Sequence, residues 1–447
     1  DLFVGKTLLH GDVLMWLMKT LLTSGCTNQR GAGQYLNLIR DNWYIITLPD
    51  SKKGTVVVTI CLNMIVRDES HIIKKTLSNI LDKIPISSWV ICDTGSSDNT
   101  PKLIREFFAQ RKVPGKLYHD QWIDFSHNRN LALNRCDGMS DYILFFDADD
   151  RIEGTVDTSN LTHHSYFLKM SNETHSVTYY RKLLVRNGLS FKWRGVLHEY
   201  LEDKYHDTGT INSDHFIISG RTGSRNNTCR KYHRDAEILA TAYHQCKEQD
   251  LMPRYAFYCA QSYHDAAVQD EKNRSELYSR SIEWYLLRLK LSGFTEERYF
   301  SLLRIGLIHE RSGRISDAIP FLLEAFEENP LRAESLYHLA RIYRSLGKNN
   351  LAFRFAKMAK EIKKPIGNFL FLDNVIYDNW IDYEIMVNAI EIGLYPIAYH
   401  SARELLTFGT NPSATSKATE IINFLISRSL ITVVDQDIIK KSTKNSV

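Results

Sequence analysis

The sequence has few of the residues that mark disulfide-rich, metal-clipped or linker-rich proteins. Its 447 residues include only 7 cysteines, 10 prolines and 22 glycines. The cysteine count is odd and no two cysteines form a C-x-x-C pair, which argues against a disulfide framework or a zinc site and favours a reduced compartment. The low proline and glycine content argues against long linkers.

A surplus of charge of one sign is also absent. The 56 Lys and Arg residues nearly balance the 52 Asp and Glu residues, which leaves a net charge of +4, less than a dedicated nucleic-acid-binding protein usually carries. The longest apolar run near the N-terminus, Val13 to Leu22, is interrupted by Lys19 and is too short to cross a bilayer. We therefore expect no nucleic-acid partner, no membrane span and a cytoplasmic location.

Apolar residues make up 43% of the sequence, which is enough for a folded protein with a sizeable core. From Thr55 to about Gly220, apolar runs alternate with helical patterns, which predicts an α/β fold with a parallel sheet covered on both faces. After Asp150 the strand patterns become alternating, so we expect a mixed second half of the sheet. The predicted parallel strands are Thr55–Leu62, Ser88–Cys92, Lys116–His119 and Tyr142–Phe146.

Helical patterns take over from about Arg230, and an internal repeat appears among them. Four pairs of small residues are each separated by 34 positions, the tetratricopeptide period: Gly306 and Ala340, Gly313 and Gly347, Ala318 and Ala352, Ala325 and Ala359. We therefore expect an all-α repeat domain. The predicted domains are an N-terminal extension of uncertain structure (1–53), an α/β domain (54–228), a helical repeat domain (229–430) and a tail (431–447).

The first candidate site follows the fourth predicted strand, where Asp147, Ala148 and Asp149 form a D-x-D sequence. The carboxyl ends of parallel strands are where open α/β sheets bind ligands, and two such carboxylates can share a divalent cation with a diphosphate. An isolated D-x-D is more often an ordinary Asp-rich turn. The buried strand that precedes this one favours the binding interpretation.

Two further segments have the composition of binding loops. Asp93 and Gly95 follow the second strand, where the carboxylate is suited to bind a nucleobase or ribose and the glycine permits close backbone approach. Ser126 is the predicted N-cap of the next helix, which would make Arg129 in the first turn part of an anion site. A turn with a helix start, and a capped surface helix, are the respective structural alternatives.

Taken together, the segments TICLNMIVRDE, CDTGSSDNT, FSHNRNLAL and YILFFDADD resemble family 2 glycosyltransferases with the GT-A fold, in the subgroup with C-terminal tetratricopeptide-like repeats. The similarity extends in order over about residues 55–410. The resemblance implies that Asp93 binds the nucleoside of a sugar donor and that Asp147 and Asp149 bind a divalent metal and the diphosphate. The full set of donor-binding residues that we expect is Cys61, Asn63, Arg67, Glu69, Asp93, Gly95, Ser96, Arg129, Asp147, Ala148 and Arg221.

The segment from Trp193 to Glu199 matches the W-x-G-x-x-H-E pattern of the same subgroup. An inverting transfer needs a base for the acceptor proton, and we predict Glu199 in that role, with His198 orienting it or lying near the donor. His198 is the alternative base, and a strand that ends in a structural His–Glu pair is the alternative to both.

Two weaker predictions complete the site. His215 precedes Gly220 at a position where a third metal ligand could lie, although a lone histidine on a strand is more often hydrogen-bonded to a neighbouring residue. The basic stretch from Arg221 to Arg234 is suited to close over a diphosphate, or else to serve as a solvated linker into the helices.

The predicted activity is therefore that of a metal-dependent, inverting glycosyltransferase of the hexosyltransferase type. The expected cofactor is Mn²⁺ or Mg²⁺, the donor a nucleotide-diphosphate sugar such as a UDP-sugar, and the acceptor a hydroxyl of a glycan, a lipid-linked sugar or a protein. The helical repeats are suited to bind a protein partner. The alternative function is a catalytically silent GT-A and tetratricopeptide scaffold.

Overall fold

A computed structural model of the chain describes residues 58–227, 230–367 and 369–431. The predicted N-terminal extension and all but the first residue of the predicted tail lie outside the described residues, as does the predicted domain boundary between residues 228 and 229.

Strands occupy the first part of the described chain. In chain order they are β1 (Ile60–Val66), β2 (Ile86–Asp93), β3 (Gly115–His119), β4 (Tyr142–Phe145), β5 (Arg151–Gly154), β6 (Ser165–Ser171), β7 (Val177–Arg186), β8 (Lys192–Arg194), β9 (Tyr200–Glu202), β10 (Thr208–Thr210), β11 (His215–Ile218) and, far later, β12 (Leu372–Asp373). Residues 211–214 form no strand and include a bend, so β11 begins only at His215.

Three helices alternate with the first strands, and the others follow them. They are α1 (Ile73–Lys83), α2 (Thr100–Arg111), α3 (Phe125–Asn134), α4 (Lys231–Gln245), α5 (Met252–Gln269), α6 (Arg274–Leu289), α7 (Thr295–Arg311), α8 (Ile315–Glu328), α9 (Glu334–Ser345), α10 (Asn349–Glu361), α11 (Ile381–Glu391), α12 (Tyr395–Phe408) and α13 (Pro412–Ser427).

The main sheet of the described chain has the strand order β3-β2-β1-β4-β7-β6-β11-β5. Strands β3, β2, β1 and β4 run parallel, and β7 pairs antiparallel with both β4 and β6. This arrangement confirms the predicted mixed sheet. Because β1, β2 and β4 are neighbours with one direction, their carboxyl ends meet at one edge, and that edge collects the turns that carry Asp93 and Asp147.

Hydrophobic patterning explains why these segments form the sheet and its covering helices. Every residue of β4 is buried, and β1 is buried throughout except for the half-buried Ile65. Helix α1 places Ile73, Leu77 and Ile80 on one face, and all three have 0% exposure. The apolar stripe of the helix therefore packs on the strands while its lysines face water.

The start of α3 differs from the expectation. Asp124, not Ser126, is the N-cap: its Oδ1 accepts the backbone N–H of His127 at 2.8 Å and the hydroxyl of Ser126 at 2.9 Å. A carboxylate at the N-cap also complements the positive end of the helix dipole.

The predicted 34-residue repeat is confirmed as two antiparallel helix pairs, α7 with α8 and α9 with α10. Gly313 and Gly347 form the turns within the pairs with φ values of +74° and +70°. Gly306 lets α8 approach closely, because a Cβ at this position would lie 2.9 Å from Leu322. The alanines of the repeat, Ala318, Ala325, Ala340, Ala352 and Ala359, all have 0% exposure.

The sheet and the helices belong to one compact unit. Leu197, from the end of the sheet region, is buried in the core of the helices. The Tyr255 hydroxyl of α5 accepts the backbone N–H of Val196 at 3.3 Å, and β12 pairs with β7 at the sheet. Among the described residues, no helix combines the length and the apolar character that a membrane crossing requires.

Candidate active site

The turn after β4 carries a carboxylate that two arginines hold. Arg129 of α3 donates from Nη2 to Asp147 Oδ1 at 2.6 Å, and Arg181 of β7 donates from Nη1 to Asp147 Oδ2 at 3.0 Å. Burial alone would raise the pKa of Asp147, but the two guanidinium groups hold it below its ordinary value. Asp147 is thus an anion bound by the protein's own cations.

The second carboxylate of the D-x-D sequence faces a loop from the end of the sheet. Asp149 Oδ2 accepts the backbone N–H of Gly223 at 3.1 Å, and Asp150 Oδ1 accepts that of Gly220 at 3.0 Å. Burial, and then the negative charge of Asp147, raise the pKa of Asp149 and more strongly that of Asp150. A cation placed here would relieve this crowding of negative charge.

Arg129 connects the D-x-D turn to the predicted base. Its Nε donates to Glu199 Oε1 at 2.5 Å, and its guanidinium lies 5.0 Å from the ring centroid of Trp193. Its side chain is only 5% exposed, so it does not face solvent as the anion site that the sequence suggested. Because its charge is already shared between two carboxylates, a donor phosphate would have to bind to other cations.

His198 has an unusual backbone and a defined ring contact. Its φ is +52°, and its ring stacks on Tyr258 of α5 with centroids 4.1 Å apart and planes 10° apart. Desolvation in the cleft, and then the cations Arg254 and Arg225, lower the pKa of His198. The residue nevertheless keeps access to solvent.

The turn after β2 forms the second part of the same edge. Asp93 is 3% exposed, and its carboxylate accepts the backbone N–H of Ser96 at 3.3 Å and faces His119 Nδ1 at 3.2 Å. Gly95 has a φ of +100°, and a Cβ at this position would meet no other atom within 4 Å, so the turn is open there. The Ser96 hydroxyl accepts the backbone N–H of Asp68 and ties this turn to the end of β1.

Two of the predicted donor-binding residues lie inside the sheet instead of at its edge. Cys61 has 0% exposure, and its Sγ lies 3.7 Å from Cys136 Sγ. Asn63 donates from Nδ2 to the carbonyl of Ala132 at 2.9 Å and thereby fixes α3 to β1. Both are mid-strand core residues, so these contacts do not support their assignment to donor binding, which stays a prediction. Ala148 is also buried, and its carbonyl accepts the hydroxyl of Thr76 at 2.6 Å.

Arg67 and Glu69, by contrast, lie just beyond the carboxyl end of β1. Arg67 is exposed. The Glu69 carboxylate accepts the backbone N–H of Ser224 at 3.2 Å, and burial raises its pKa to about 7. Together with His71, whose Nε2 contacts the carbonyl of Thr222 at 2.8 Å, Glu69 holds the 222–224 loop next to Asp149.

The basic stretch after β11 lies against this part of the cleft. Arg221 is exposed, and Arg225 pairs with Asp235 of α4. Burial and the neighbouring Arg225 and Arg221 lower the pKa of Lys231, while the charges of Asp235 and Asp149 oppose that shift. Lys231 is therefore the cation that acts on Asp149, and Arg225 and Arg221 lie close to Lys231.

His215 is not brought to the aspartates. It lies at the start of β11 opposite Gly154, five residues before Gly220, and it is 1% exposed. Its Nε2 accepts the backbone N–H of Lys169 at 3.3 Å and its Nδ1 contacts Ser213 at 3.1 Å. In the part of the chain that the structure describes, no group of three or more His, Cys, Asp and Glu side chains could hold a metal ion. The position of His215 therefore does not support the expectation of a third ligand, which stays a prediction.

Three residues near the Asp147 and His198 turns belong to no recognisable sequence motif: Arg181, Arg254 and Tyr258. Arg181 is one of several charged residues in the alternating pattern of β7, and the other two lie on a repeat-region helix. Only the pairing of β7 with β4 and the packing of α5 bring them to the cleft.

One family model matches the first part of the sheet region. Residues 60–157 match the model of the family "Glycosyl transferase family 2", which confirms the resemblance seen in the sequence. The matched segment begins at β1 and ends just after β5, so it contains Asp93, Arg129 and Asp147 but not His198 or Glu199. No curated protein matches the chain significantly.

Solved structures match the chain at low overall similarity. MamA is 16% identical over 40% of this chain and 85% of its own, with a TM-score of 0.29. The C-terminal part of a TPR repeat-containing protein from Cytophaga hutchinsonii is 15% identical over 45% of this chain and 70% of its own, with a TM-score of 0.33. At these scores the matches carry no evidence on function.

Proposed function

We propose that the protein is a glycosyltransferase that moves a sugar from a nucleotide-diphosphate sugar, most simply a UDP-sugar, to an acceptor hydroxyl. The observation that carries the proposal is the convergence of Asp93, Asp149 and the Arg129–Glu199 pair at the carboxyl edge of β1, β2 and β4. This is the edge at which an open α/β sheet binds nucleotides. The family match over residues 60–157 supports the same reaction class.

In the proposed donor complex, Asp93 accepts hydrogen bonds from the nucleoside and the cations around Asp149 bind the diphosphate. Lys231 lies close enough to lower the pKa of Asp149, and Arg225 and Arg221 lie close enough to lower that of Lys231, which makes these three the candidate phosphate-binding groups. Asp147 keeps Arg129 and Arg181 in place instead of contacting the donor. The acceptor is a glycan, a lipid-linked sugar or a protein.

The residues present fit a divalent cation held mainly by Asp149. Asp149 is a half-buried carboxylate at the carboxyl edge of the sheet, and burial together with the negative charge of Asp147 raises its pKa. Mg²⁺ and ions like it are commonly held by one or two carboxylates, with substrate phosphates and water supplying the other ligands. Such an ion would stabilise the negative charge that develops on the departing diphosphate.

Glu199 is the proposed base of an inverting transfer. Its Oε1 is held by Arg129, which fixes the orientation of the carboxylate, and its Oε2 is the atom assigned to accept the proton of the acceptor hydroxyl. His198 precedes it in the same turn and lines the cleft beside the cations. His198 is the second candidate for the base.

Replacement of Asp149 tests the proposed donor site. Asp149→Asn keeps the shape of the side chain but removes the charge, so we expect transfer to fall by about 100-fold or more and metal-dependent donor binding to be lost. Turnover of a panel of nucleotide sugars with Mn²⁺ measures the first, and calorimetric titration of the donor measures the second. Asp137→Asn, at an exposed position, is the control. Unchanged turnover in Asp149→Asn would rule out the assignment.

Replacement of Glu199 tests the proposed base. Glu199→Gln still accepts a hydrogen bond from Arg129 but cannot take a proton, so kcat should fall by roughly 10²–10⁴-fold with donor binding retained. Transfer-rate assays with one chosen acceptor measure kcat, and calorimetric titration measures donor affinity. If Glu199→Gln is active while His198→Gln is not, His198 is the base.

A silent scaffold is the competing function, and the engagement of Asp147 by two arginines is the observation in its favour. A scaffold would bind neither donor nor metal productively. Slow hydrolysis of a nucleotide sugar by the full chain in the presence of Mn²⁺ would exclude it, provided that Asp149→Asn abolishes the hydrolysis.

A further inference from the structure

The turn that carries His198 and Glu199 rests on a helix from the repeat region. Helix α5 contributes three contacts to it: Tyr255 accepts the N–H of Val196, Arg254 donates from Nε to the carbonyl of His198 at 2.7 Å, and Tyr258 stacks on the His198 ring. All of these residues lie outside residues 60–157, the segment that the family model matches.

The contacts hold the turn in a backbone conformation that costs energy. His198 has a φ of +52°, and a left-handed backbone is unfavourable for a residue with a Cβ unless its surroundings impose it. The hydrogen bond to its carbonyl and the stack on its ring act on the two sides of this residue. The direction in which the chain enters Glu199 therefore depends on α5.

Arg254 is itself fixed from the helical side. Its guanidinium lies 4.8 Å from the ring centroid of Tyr258, and its Nη1 lies 3.7 Å from Glu297 Oε1 of α7. Glu297 in turn accepts from Arg288 Nε at 2.9 Å, and Arg288 is fully buried. A chain of buried charges thus anchors Arg254 and lets it act as a rigid support.

We propose that Arg254 and Tyr258 are positioning residues for sugar transfer, which hold the His198–Glu199 turn in its reactive orientation. The inference rests on the proposed function and deepens it. The helical repeats are then part of the catalytic apparatus, because the base is placed correctly only when α5 lies beneath it. Misplacement of a reacting group by about 1 Å costs up to about 100-fold in rate.

Two pairs of variants in the full chain separate positioning from simple packing. Tyr258→Phe keeps the ring and should stay within about threefold of wild-type kcat, whereas Tyr258→Leu removes the stack and should lower kcat by about tenfold or more. Arg254→Lys, which keeps a donor for the His198 carbonyl, should recover part of the activity that Arg254→Met loses. Donor affinity in the presence of Mn²⁺ should change by less than about twofold in all four.

Tyr263→Leu is the matched control. Tyr263 lies on the same helix and is 8% exposed, the same fraction as Tyr258, and its cation contact is with Arg280 of α6. It should lose stability without losing kcat. Equal losses of kcat in Tyr258→Leu and Tyr263→Leu would show that α5 acts only through overall stability and would overturn the inference.

A measurement that needs no turnover reports on the contact itself. The ring-proton resonance of His198, assigned by its disappearance in His198→Gln, should move in Tyr258→Leu and stay nearly unchanged in Tyr258→Phe and Tyr263→Leu. An unmoved resonance in Tyr258→Leu overturns the inference. If the wild-type chain instead neither transfers nor hydrolyses any sugar donor, the proposed function fails, and the positioning role fails with it even where the resonance moves as expected.

Discussion

Arg129 is the residue on which the charges of the cleft depend. It pairs with Asp147 at 2.6 Å and with Glu199 at 2.5 Å while almost fully buried. Removal of one partner from such a buried group leaves an uncompensated charge, which costs more than the ion pair contributes. One side chain therefore fixes both the D-x-D turn and the proposed base.

Glu69 is the residue for which the structure implies a pH dependence of stability. Its folded pKa of about 7 lies above the ordinary value of 4.5, so the folded state holds a proton that the unfolded chain releases between these pH values. The contribution of Glu69 to stability must therefore fall as the pH rises from about 4.5 to about 7. Glu69→Gln does not titrate and keeps an oxygen for the Ser224 N–H.

We thus expect Glu69→Gln to gain stability relative to the wild type as the pH is raised, by at most about 3 kcal/mol. Urea unfolding of both proteins at pH 4.5 and pH 8 measures the difference. A stability difference that does not change with pH would contradict the raised pKa of Glu69.

At the scale of elements, small residues decide how closely the repeat helices approach. Gly306 faces Leu322 and the carbonyl of Ala318, whereas its equivalent 34 residues later is Ala340, which is fully buried. The same position in two copies of the repeat therefore tolerates different side chains. The spacing of α7 and α8 depends on the absence of a Cβ.

Gly306→Ala is expected to destabilise the protein by about 1 kcal/mol, because overpacking of about 1–3 kcal/mol exceeds the gain in helix propensity of about 1 kcal/mol. Ala340→Gly, the reciprocal change, should cost about 1 kcal/mol through lost propensity. Thermal or urea unfolding measures both. Stabilisation by Gly306→Ala would mean that Leu322 moves aside without cost.

At the scale of the whole molecule, a buried charge network links the helices to the sheet. Arg332 is 0% exposed and pairs with Glu296 and Glu334, and Glu296 also accepts the N–H of Leu370 at 2.9 Å. The chain then continues directly into β12, which pairs with β7. The network thus stabilises the segment that returns from the helical repeats to the sheet.

Arg332→Met should therefore destabilise the whole unit by about 3–5 kcal/mol, since it leaves two carboxylates buried without their partner. Hydrogen exchange resolved by peptide should show β7 and α9 losing protection together. Lys417→Met, which removes an exposed pair with Glu420, is the control and should change little. Loss of protection in the helices alone would show that the two regions unfold independently.

The sequence by itself determined the elements that depend on local patterns. Continuous apolar runs predicted β1, β2 and β4, and the 34-residue spacing predicted the helix pairs. The D-x-D sequence marked the carboxyl edge of the sheet, where we propose that the donor binds. These features follow from side-chain periodicity and turn chemistry within a few residues. The family match over residues 60–157 agrees with them.

Tertiary structure decided which of these residues share a site. Cys61 and Asn63 belong to a segment that resembles a donor-binding motif, but they lie in the middle of a buried strand. His215 lies at the start of β11, the end of that strand away from the aspartates. Arg181 and Arg254 reach the cleft across 34 and 56 positions of sequence, to Asp147 and His198. Contacts over such separations depend on strand order and helix packing, which no local pattern encodes.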